Sequence, residues 1–286
     1  MEQNNFNNIQ DFADGLGIDL VVKETTSIDE IINKKEDNTK PMHQCNRVTI
    51  TGTVNPDWVE YKTDKNGNEY AVVPVSSFKY KDKTTGENKY EKTYVSVFGD
   101  KVKTLKHQLA KSDNKQLTFE GYLDKKSKLI GWDNDEKGVY ENMPQTLHVT
   151  NISNDPSKSH TNKAVISGRV QSIGQMYKTE GGQDYIFCNV TNAYSYKDKE
   201  TGETKYNYQH NPAIIFGQQA AIVAELKEGQ EVKLSGTYAY NGKQQCFCAN
   251  RVTPGMTKEQ RDQYFENLKT QNNSKEVSKD ASQMER

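Results

Sequence analysis

Tyr80, Lys81, Lys83, Lys89 and Tyr90 form a short run in which flat rings stand among lysines. Tyr196, Lys197, Lys199, Lys205 and Tyr206 repeat it 116 residues later. Phe78 and Tyr194 stand two residues ahead of each leading tyrosine, Tyr94 and Tyr208 follow, and Phe98 and Phe216 close each run before a glycine. Exposed rings of this kind can stack on unpaired bases, at about 1–3 kcal/mol per base, without preference for sequence. Lysines beside them can neutralise phosphates and release counterions. Residues two apart on a strand share a face. Phe78 and Tyr80 are therefore expected to point together, as are Tyr194 and Tyr196. Plainer readings stand beside these. Asp82, Glu87, Asp198, Glu200 and Glu203 could simply pair with the lysines as weak surface ion pairs. Phe98 and Phe216 could be core residues of alternating strands, and tyrosine is common in strands of any kind.

The elements that position these side chains occur twice. Tyr80–Tyr90 and Tyr196–Tyr206 agree at nine of eleven positions. Asn46-Arg47-Val48-Thr49-Ile50-Thr51-Gly52 aligns with Asn162-Lys163-Ala164-Val165-Ile166-Ser167-Gly168, and Tyr61-Lys62-Thr63 aligns with Tyr177-Lys178-Thr179. Phe98-Gly99 aligns with Phe216-Gly217 after a two-residue slip. A repeat this long is a duplicated domain rather than a solenoid unit.

Within the first copy, alternation predicts strands from Asn46 and over Tyr70–Phe78, with Pro74 marking a bulge or an edge. Thr85-Gly86-Glu87 turns the chain, and Tyr90–Phe98 returns. Helical spacing of Val102, Leu105 and Leu109 predicts a helix over about Asp100–Ala110. Strands follow at Leu117–Leu123 and Thr146–Ile152. The second copy gives strands over Ala164–Val170, Asp184–Tyr194 and one ending at Ala213–Phe216, a helix over Gln218–Leu226, then strands over Glu231–Tyr240 and Gln244–Val252, joined by a turn at Asn241-Gly242. Five strands with a helix between the third and fourth is the order of the OB-fold, a partly open barrel that commonly binds oligonucleotides across one face. The fold class is all-β with short helices: two tandem five-stranded OB barrels with flexible N- and C-terminal arms.

These motifs resemble those of the bacterial single-stranded DNA-binding proteins. The resemblance lies in Asn46–Gly52, which is similar to the opening N-x-V-x-L-x-G strand of that family, and in Phe78–Gly99, with its K-D-K-x-T-G-E turn and closing V-x-V-F-G. It covers residues 45–125 and 161–253. It implies that Tyr80 and Tyr196 stack on bases, and that Phe98 and Phe216 do so as well. A further tryptophan of that family falls on Lys92 and His210 here, and Tyr90, Tyr94, Tyr206 and Tyr208 are close enough to replace it. For a second, late-strand tryptophan the candidates are Trp132, Tyr238 and Tyr240. The family's acidic tail with an apolar tip has no counterpart in the closing Ser-Gln-Met-Glu-Arg. Two barrels in one chain imply a monomer or homodimer in place of a one-domain tetramer.

Composition bounds the rest. Of the 286 residues, 33% are hydrophobic, below the usual ~45–50%. Aromatics supply much of that share, with 16 Tyr and 9 Phe. Residues 1–40 hold 4 lysines against 9 acids, while residues 41–254 carry a net +4. The expected division is an acidic, mostly disordered arm over 1–40, barrel one over 41–153, a linker over 154–160, barrel two over 161–254, and a helix near Lys258–Leu268 with a disordered tail within 255–286. Phe6, Ile9, Phe12, Ala13 and Leu16 have rough helical spacing, and Ile28, Ile31 and Ile32 hint at a further turn. The arm is expected to dock replication or recombination proteins. No apolar run reaches the ~18 residues of a membrane span, and no secretory signal opens the chain. Cys45, Cys188, Cys246 and Cys248 lack zinc-ligand spacing, and reduced thiols suit a cytoplasmic location. No cofactor is expected. Nuclease chemistry lacks its carboxylate and phosphate-cradling motifs, so the expected activity is sequence-independent binding of single-stranded DNA without catalysis. The alternatives are an interaction scaffold or an RNA-binding module.

Overall fold

The computed structural model describes residues 27–34, 36–37, 39–111, 115–125, 127–132, 138–142, 145–155, 158–198, 201–240 and 244–270, with backbone alone for 127–132, 138–142, 194–196 and 207. Helix α1 (Ile28–Asn33) leads into strand β1 (Cys45–Val54). The first copy continues through β2 (Glu60–Thr63), β3 (Glu69–Lys81), β4 (Asn88–Phe98), α2 (Asp100–Lys111), β5 (Gln116–Asp124), a separate hairpin of β6 (Ser127–Trp132) and β7 (Gly138–Asn142), and β8 (Thr146–Ser153). The second copy is β9 (Thr161–Lys178), β10 (Asp184–Lys197), β11 (Thr204–Phe216), α3 (Gln218–Ala224), β12 (Glu231–Tyr240) and β13 (Gln245–Pro254). Helix α4 covers residues 258–270.

Each copy closes into a barrel. In the first, β1 pairs with β3 and β5, β5 with β8, and β8 runs parallel to β4. In the second, β9 pairs with β10 and β12, β12 with β13, and β13 runs parallel to β11. The alternating apolar residues fill one continuous core, including Ile50, Val73, Val97, Leu105 and Phe119 in the first copy and Ile166, Val190, Ile215, Leu234 and Phe247 in the second. Gly52 and Gly168 allow the closure. A Cβ at Gly52 would lie 2.5 Å from the Ser76 carbonyl oxygen, and one at Gly168 would collide likewise with that of Thr191. No side chain fits where these strands cross so closely.

The copies turn their corners differently. β9 bends as one 18-residue strand through two register shifts against β10. Such bulges bend a strand without ending it. In the first copy Pro56 stands at that place and cannot donate to a ladder. A 3-10 turn over Pro56–Trp58 follows, held by the Asn55 side chain accepting the Asp57 N–H at 3.0 Å, and the chain restarts as β2. The restart slips the register by one residue. Tyr61 therefore pairs with Ala71, whereas its repeat mate Tyr177 pairs with Tyr185. Pro74 lies where β3 passes from its pairing with β2 to its pairing with β1, a gap in the ladder where no N–H is needed.

The barrels join edge to edge through antiparallel pairing of β1 with β9, centred on Val48 opposite Ala164. Those two residues are repeat mates, so the chain contains its own two-fold junction, self-complementary as in an isologous dimer.

The boundary expected at residue 40 is not the edge of folded structure. Ser27 and Glu30 form a reciprocal capping box at the start of α1. Ile28 is buried against Cys45 and Val165. Lys233, 3% exposed, donates to the Ile31 and Lys34 carbonyls at 3.2 and 2.8 Å and to Glu36 at 2.6 Å. A cation at a helix C-terminus meets unpaired carbonyls and the negative end of the dipole. The linker is also tied down: His160 Nδ1 accepts the Phe78 N–H at 2.9 Å. The helix expected around Phe6–Leu16, the Asn241-Gly242 turn and residues 272–286 lie outside the described residues. Among the described residues no helix is long and apolar enough to cross a membrane. The four cysteines are free thiols, with Cys246 Sγ 3.6 Å from Cys248 Sγ.

Candidate nucleic-acid interface

The segment most alike between the copies is a turn. The N–H groups of Thr84 and Thr85 reach Asp82 Oδ1 at 2.8 and 3.0 Å, Gly86 takes φ +72° and bonds back to the Asp82 carbonyl, and Glu87 N–H reaches Thr85 Oγ1. Asp198, Thr201, Gly202 and Glu203 repeat this arrangement. Asp, Thr and Gly at these places are turn chemistry. The donated bonds from Thr85 and Thr84 hold the Asp82 carboxyl below the usual aspartate range. The folded-state pKa is depressed, so the turn is fully supported above the unfolded value and weakens as pH falls through the depressed one. Protection of the Gly86 amide, the slowing of its exchange relative to an unstructured peptide at the same pH, is expected to fall on acidification below about pH 4. In Asp82→Ala the protection should already be low at neutral pH. Protection that does not change with pH would contradict this role.

The hairpin lysines divide. Lys89 bonds Glu87 at 2.8 Å, Lys205 bonds Asp198 at 2.5 Å, and Lys79 lies 3.7 Å from Glu91. Among the described residues Lys81, Lys83 and Lys197 make no ion pair and are exposed. Lys199 lies outside the described residues.

Residues paired across a ladder share a face. On β4 the core takes Thr93, Val95 and Val97, so Tyr90, Lys92, Tyr94 and Phe98 face outward. Phe78 pairs with Tyr90 and Tyr70 with Phe98, which sets both on the same outer face. Phe98 is 49% exposed and stacks on Tyr70 with centroids 5.7 Å apart. It is not a core residue. Phe78 and Tyr90 meet edge-on at 6.0 Å, with His160 against Tyr90 at 6.1 Å.

The expectation that Phe78 and Tyr80 point together does not hold. A register shift falls between them, and Tyr80 pairs with Lys89 rather than with a residue of Tyr90's face. The bulge adds one residue and reverses the alternation beyond it. Tyr80 remains 53% exposed. Tyr196 pairs with Lys205 in the same way, and the side chains of Tyr194 and Tyr196 lie outside those described.

In the second barrel the outer face of β10 and β11 gathers rings at one end. Tyr177 stacks on Tyr185 at 5.4 Å, and Phe187 stands edge-on to both at 6.0 and 5.8 Å. Half-buried Phe216 tilts against Tyr185 at 5.8 Å. Along the same face Ser195 pairs with Tyr206, Ala193 with Tyr208 and Thr191 with His210.

Several of these rings escape a motif reading: Tyr70, Tyr177, Tyr185, Phe187 and Trp58. At Lys92, where the resemblance would place a tryptophan, a tryptophan ring comes close from another element. Trp58, 57% exposed on the 3-10 turn, lies with Lys92 Nζ 4.7 Å from its ring centroid. Tyr61, flipped by the slipped register, leaves the outer face and lies under Lys106 Nζ at 4.8 Å. Of the candidates for the late tryptophan, Tyr238 is fully buried, and its hydroxyl donates to the Gln145 carbonyl at 2.7 Å. It is a core residue of the junction between the barrels. Tyr240 is exposed, and the Trp132 side chain is outside those described.

No family model and no curated protein matches the sequence. Among solved structures, the wild-type single-stranded DNA-binding protein from Thermus aquaticus superposes with a TM-score of 0.50 over 74% of this chain and 94% of that one, at 12% identity. A deletion mutant of the same Thermus aquaticus protein gives 0.50 over 74% and 95%, at 13% identity. The fold is that of a bacterial single-stranded DNA-binding protein. At this identity the likeness is one of architecture alone.

Proposed function

We propose that the chain binds single-stranded DNA without sequence preference and without catalysis, shielding it in replication, recombination or DNA transfer. One observation carries this reading. The same outer face of each barrel, β3–β4 and β10–β11, exposes aromatic rings that form no part of the core. Rings held out of the core leave their faces open to bases. Exposed Lys81, Lys83 and Lys197 at the hairpins, with Lys92 beside Trp58, are suited to meet phosphates. The nominated contacts are Tyr70, Phe78, Tyr90, Tyr94, Phe98 and Trp58 in barrel one, and Tyr177, Tyr185, Phe187, Tyr206, Tyr208 and Phe216 in barrel two. Tyr80 and Tyr196 would reach the strand from the hairpins. The acidic residues ahead of α1 are proposed to dock replication or recombination proteins; their charge supports this.

The test is a polarisation titration of labelled oligo(dT), with unlabelled duplex of equal length as competitor, at several salt concentrations. Oligo(dT) should bind, duplex should hardly compete, and log affinity should fall with log salt by about 0.7 per phosphate contact. Equal competition by duplex would refute the reading.

A further inference from the structure

A cavity of about 320 Å³ lies at the end of barrel two, between the strap that follows α1 and the inner side of α4. The strap is pinned at both sides. Glu231 Oε2 accepts the Met42 N–H at 2.9 Å, and Gln44 Oε1 accepts the Ala193 N–H at 2.7 Å. The lining mixes cationic and apolar side chains: Arg169, Arg261 and Lys40 stand among Met42, Phe265 and Leu268, with Glu231, His43 and Gln44 beside them.

The charges inside do not balance. Arg261 is 4% exposed and commits Nη1 to the Gly229 carbonyl at 2.9 Å. Arg169 Nε is buried and has no hydrogen-bond partner among the described residues. The lining carboxylate is Glu231, 4% exposed, with one oxygen already engaged by the strap. Asp262 also acts on Arg169, but it is exposed. Two guanidinium groups thus share one buried carboxylate, and burial first, then the neighbouring Arg261, disfavours the charge on Arg169. A buried donor without an acceptor is costly, and a charge more so. A guanidinium fork matches the oxygens of a phosphate.

Size and position narrow the ligand. The volume lies in the range of small-molecule pockets, about 300–1,000 Å³, and exceeds the need of a bare oxyanion. The apolar side chains would accept an organic group. Arg169 shares a rung with Thr191, and Thr191 shares the next with His210 on the outer face of β10–β11. We propose that this cavity binds a phosphate monoester, with its oxygens on Arg169, Arg261 and Lys40 and its organic part against Met42, Phe265 and Leu268. The monoester is either a free nucleotide or the terminal phosphate of a strand lying on the adjoining face. The second source rests on the function proposed above; the first does not.

The full-length chain is titrated calorimetrically with thymidine 5′-monophosphate, with thymidine and with inorganic phosphate. The monophosphate is expected to bind roughly tenfold or more tightly than thymidine, because charge-assisted bonds are added only by its phosphate. The difference should vanish in Arg169→Gln and in Leu268→Trp, which fills the cavity and leaves every charge in place. If the wild-type chain does not distinguish monophosphate from thymidine, or if both variants keep the preference, the proposal is overturned. Oligo(dT) with a 5′-phosphate and with a 5′-hydroxyl then separates the two sources. A preference for the phosphorylated end assigns the site to strand termini, and its absence, with the monophosphate still bound, assigns it to free nucleotides. Failure of both oligonucleotides to bind would refute the groove reading and leave the monophosphate result standing.

Discussion

Phe187→Ala and Tyr185→Ala should each weaken oligo(dT) binding by about 1–3 kcal/mol, roughly 5- to 150-fold, while leaving the fold nearly as stable as before. The two halves of that result have separate causes. Ile186 and Cys188, the neighbours that alternate with these rings, fill the core, so truncating the rings removes atoms from the outer face and opens no internal cavity. The outer face holds the four-ring group of Tyr177, Tyr185, Phe187 and Phe216, with centroid spacings of 5.4 to 6.0 Å. Such a group keeps each ring oriented before a base arrives, so little ordering entropy is lost on stacking. The chain also supplies a control. By register, Val72 is the barrel-one counterpart of Phe187, since Tyr70 pairs with Phe98 as Tyr185 pairs with Phe216. Val72→Ala should therefore change oligo(dT) affinity little. Polarisation titrations of the three variants beside thermal melts decide the matter. If Phe187→Ala and Val72→Ala bind alike, the ring group is not a stacking platform.

What could be read from the residues, and what could not, divides along one physical line. Strand order, the helix after the third strand and the tandem architecture follow from period-2 alternation, turn residues and the repeat itself, because these are local signals. Which face a given ring takes is set by register, and a single inserted residue reverses it. Tyr61 and Tyr177 occupy the same place in the repeat, yet the break at Pro56 puts them on different faces. The bulge after Phe78 does the same to Tyr80. Trp58 reaches Lys92 from a turn that alternation does not describe. Tyr238 looks like an exposed strand tyrosine until Gln145 of the other barrel closes over its hydroxyl. The docking of α1 depends on Lys233, 202 positions from Ile31 in the chain. Contacts of that span carry no sequence pattern in one chain.

The largest stability loss is expected at the junction, from Asn46→Leu and Asn162→Leu. Each asparagine grips both backbone groups of one residue in its own barrel. Asn46 bonds the Leu123 N–H at 2.9 Å and its carbonyl at 2.7 Å, and Asn162 bonds the Tyr238 N–H at 3.0 Å and its carbonyl at 2.9 Å. Each also reaches across to the partner barrel, Asn46 to Gln209 and Asn211 at 3.1 Å and Asn162 to Glu91 at 2.7 Å. Leucine keeps the branching and heavy-atom count of asparagine but is bulkier, so the change removes the bonds and crowds the site as well. It strands a backbone donor and acceptor, at about 1–3 kcal/mol for each buried group left unpaired. A loss of about 2–5 kcal/mol per site follows, a large part of the roughly 5–15 kcal/mol that holds a typical domain. The two sites then differ in a way that packing alone would not produce. Asn162→Asp sets a carboxylate against Glu91, whereas Asn46→Asp faces only the neutral amides of Gln209 and Asn211. The first should therefore be the more damaging of the aspartate pair, although the leucine variants should fall close together. Urea unfolding followed by tyrosine fluorescence measures all four. Equal midpoints for the two aspartate variants, or a loss below about 1 kcal/mol for either leucine, would show that the asparagines do not hold the junction.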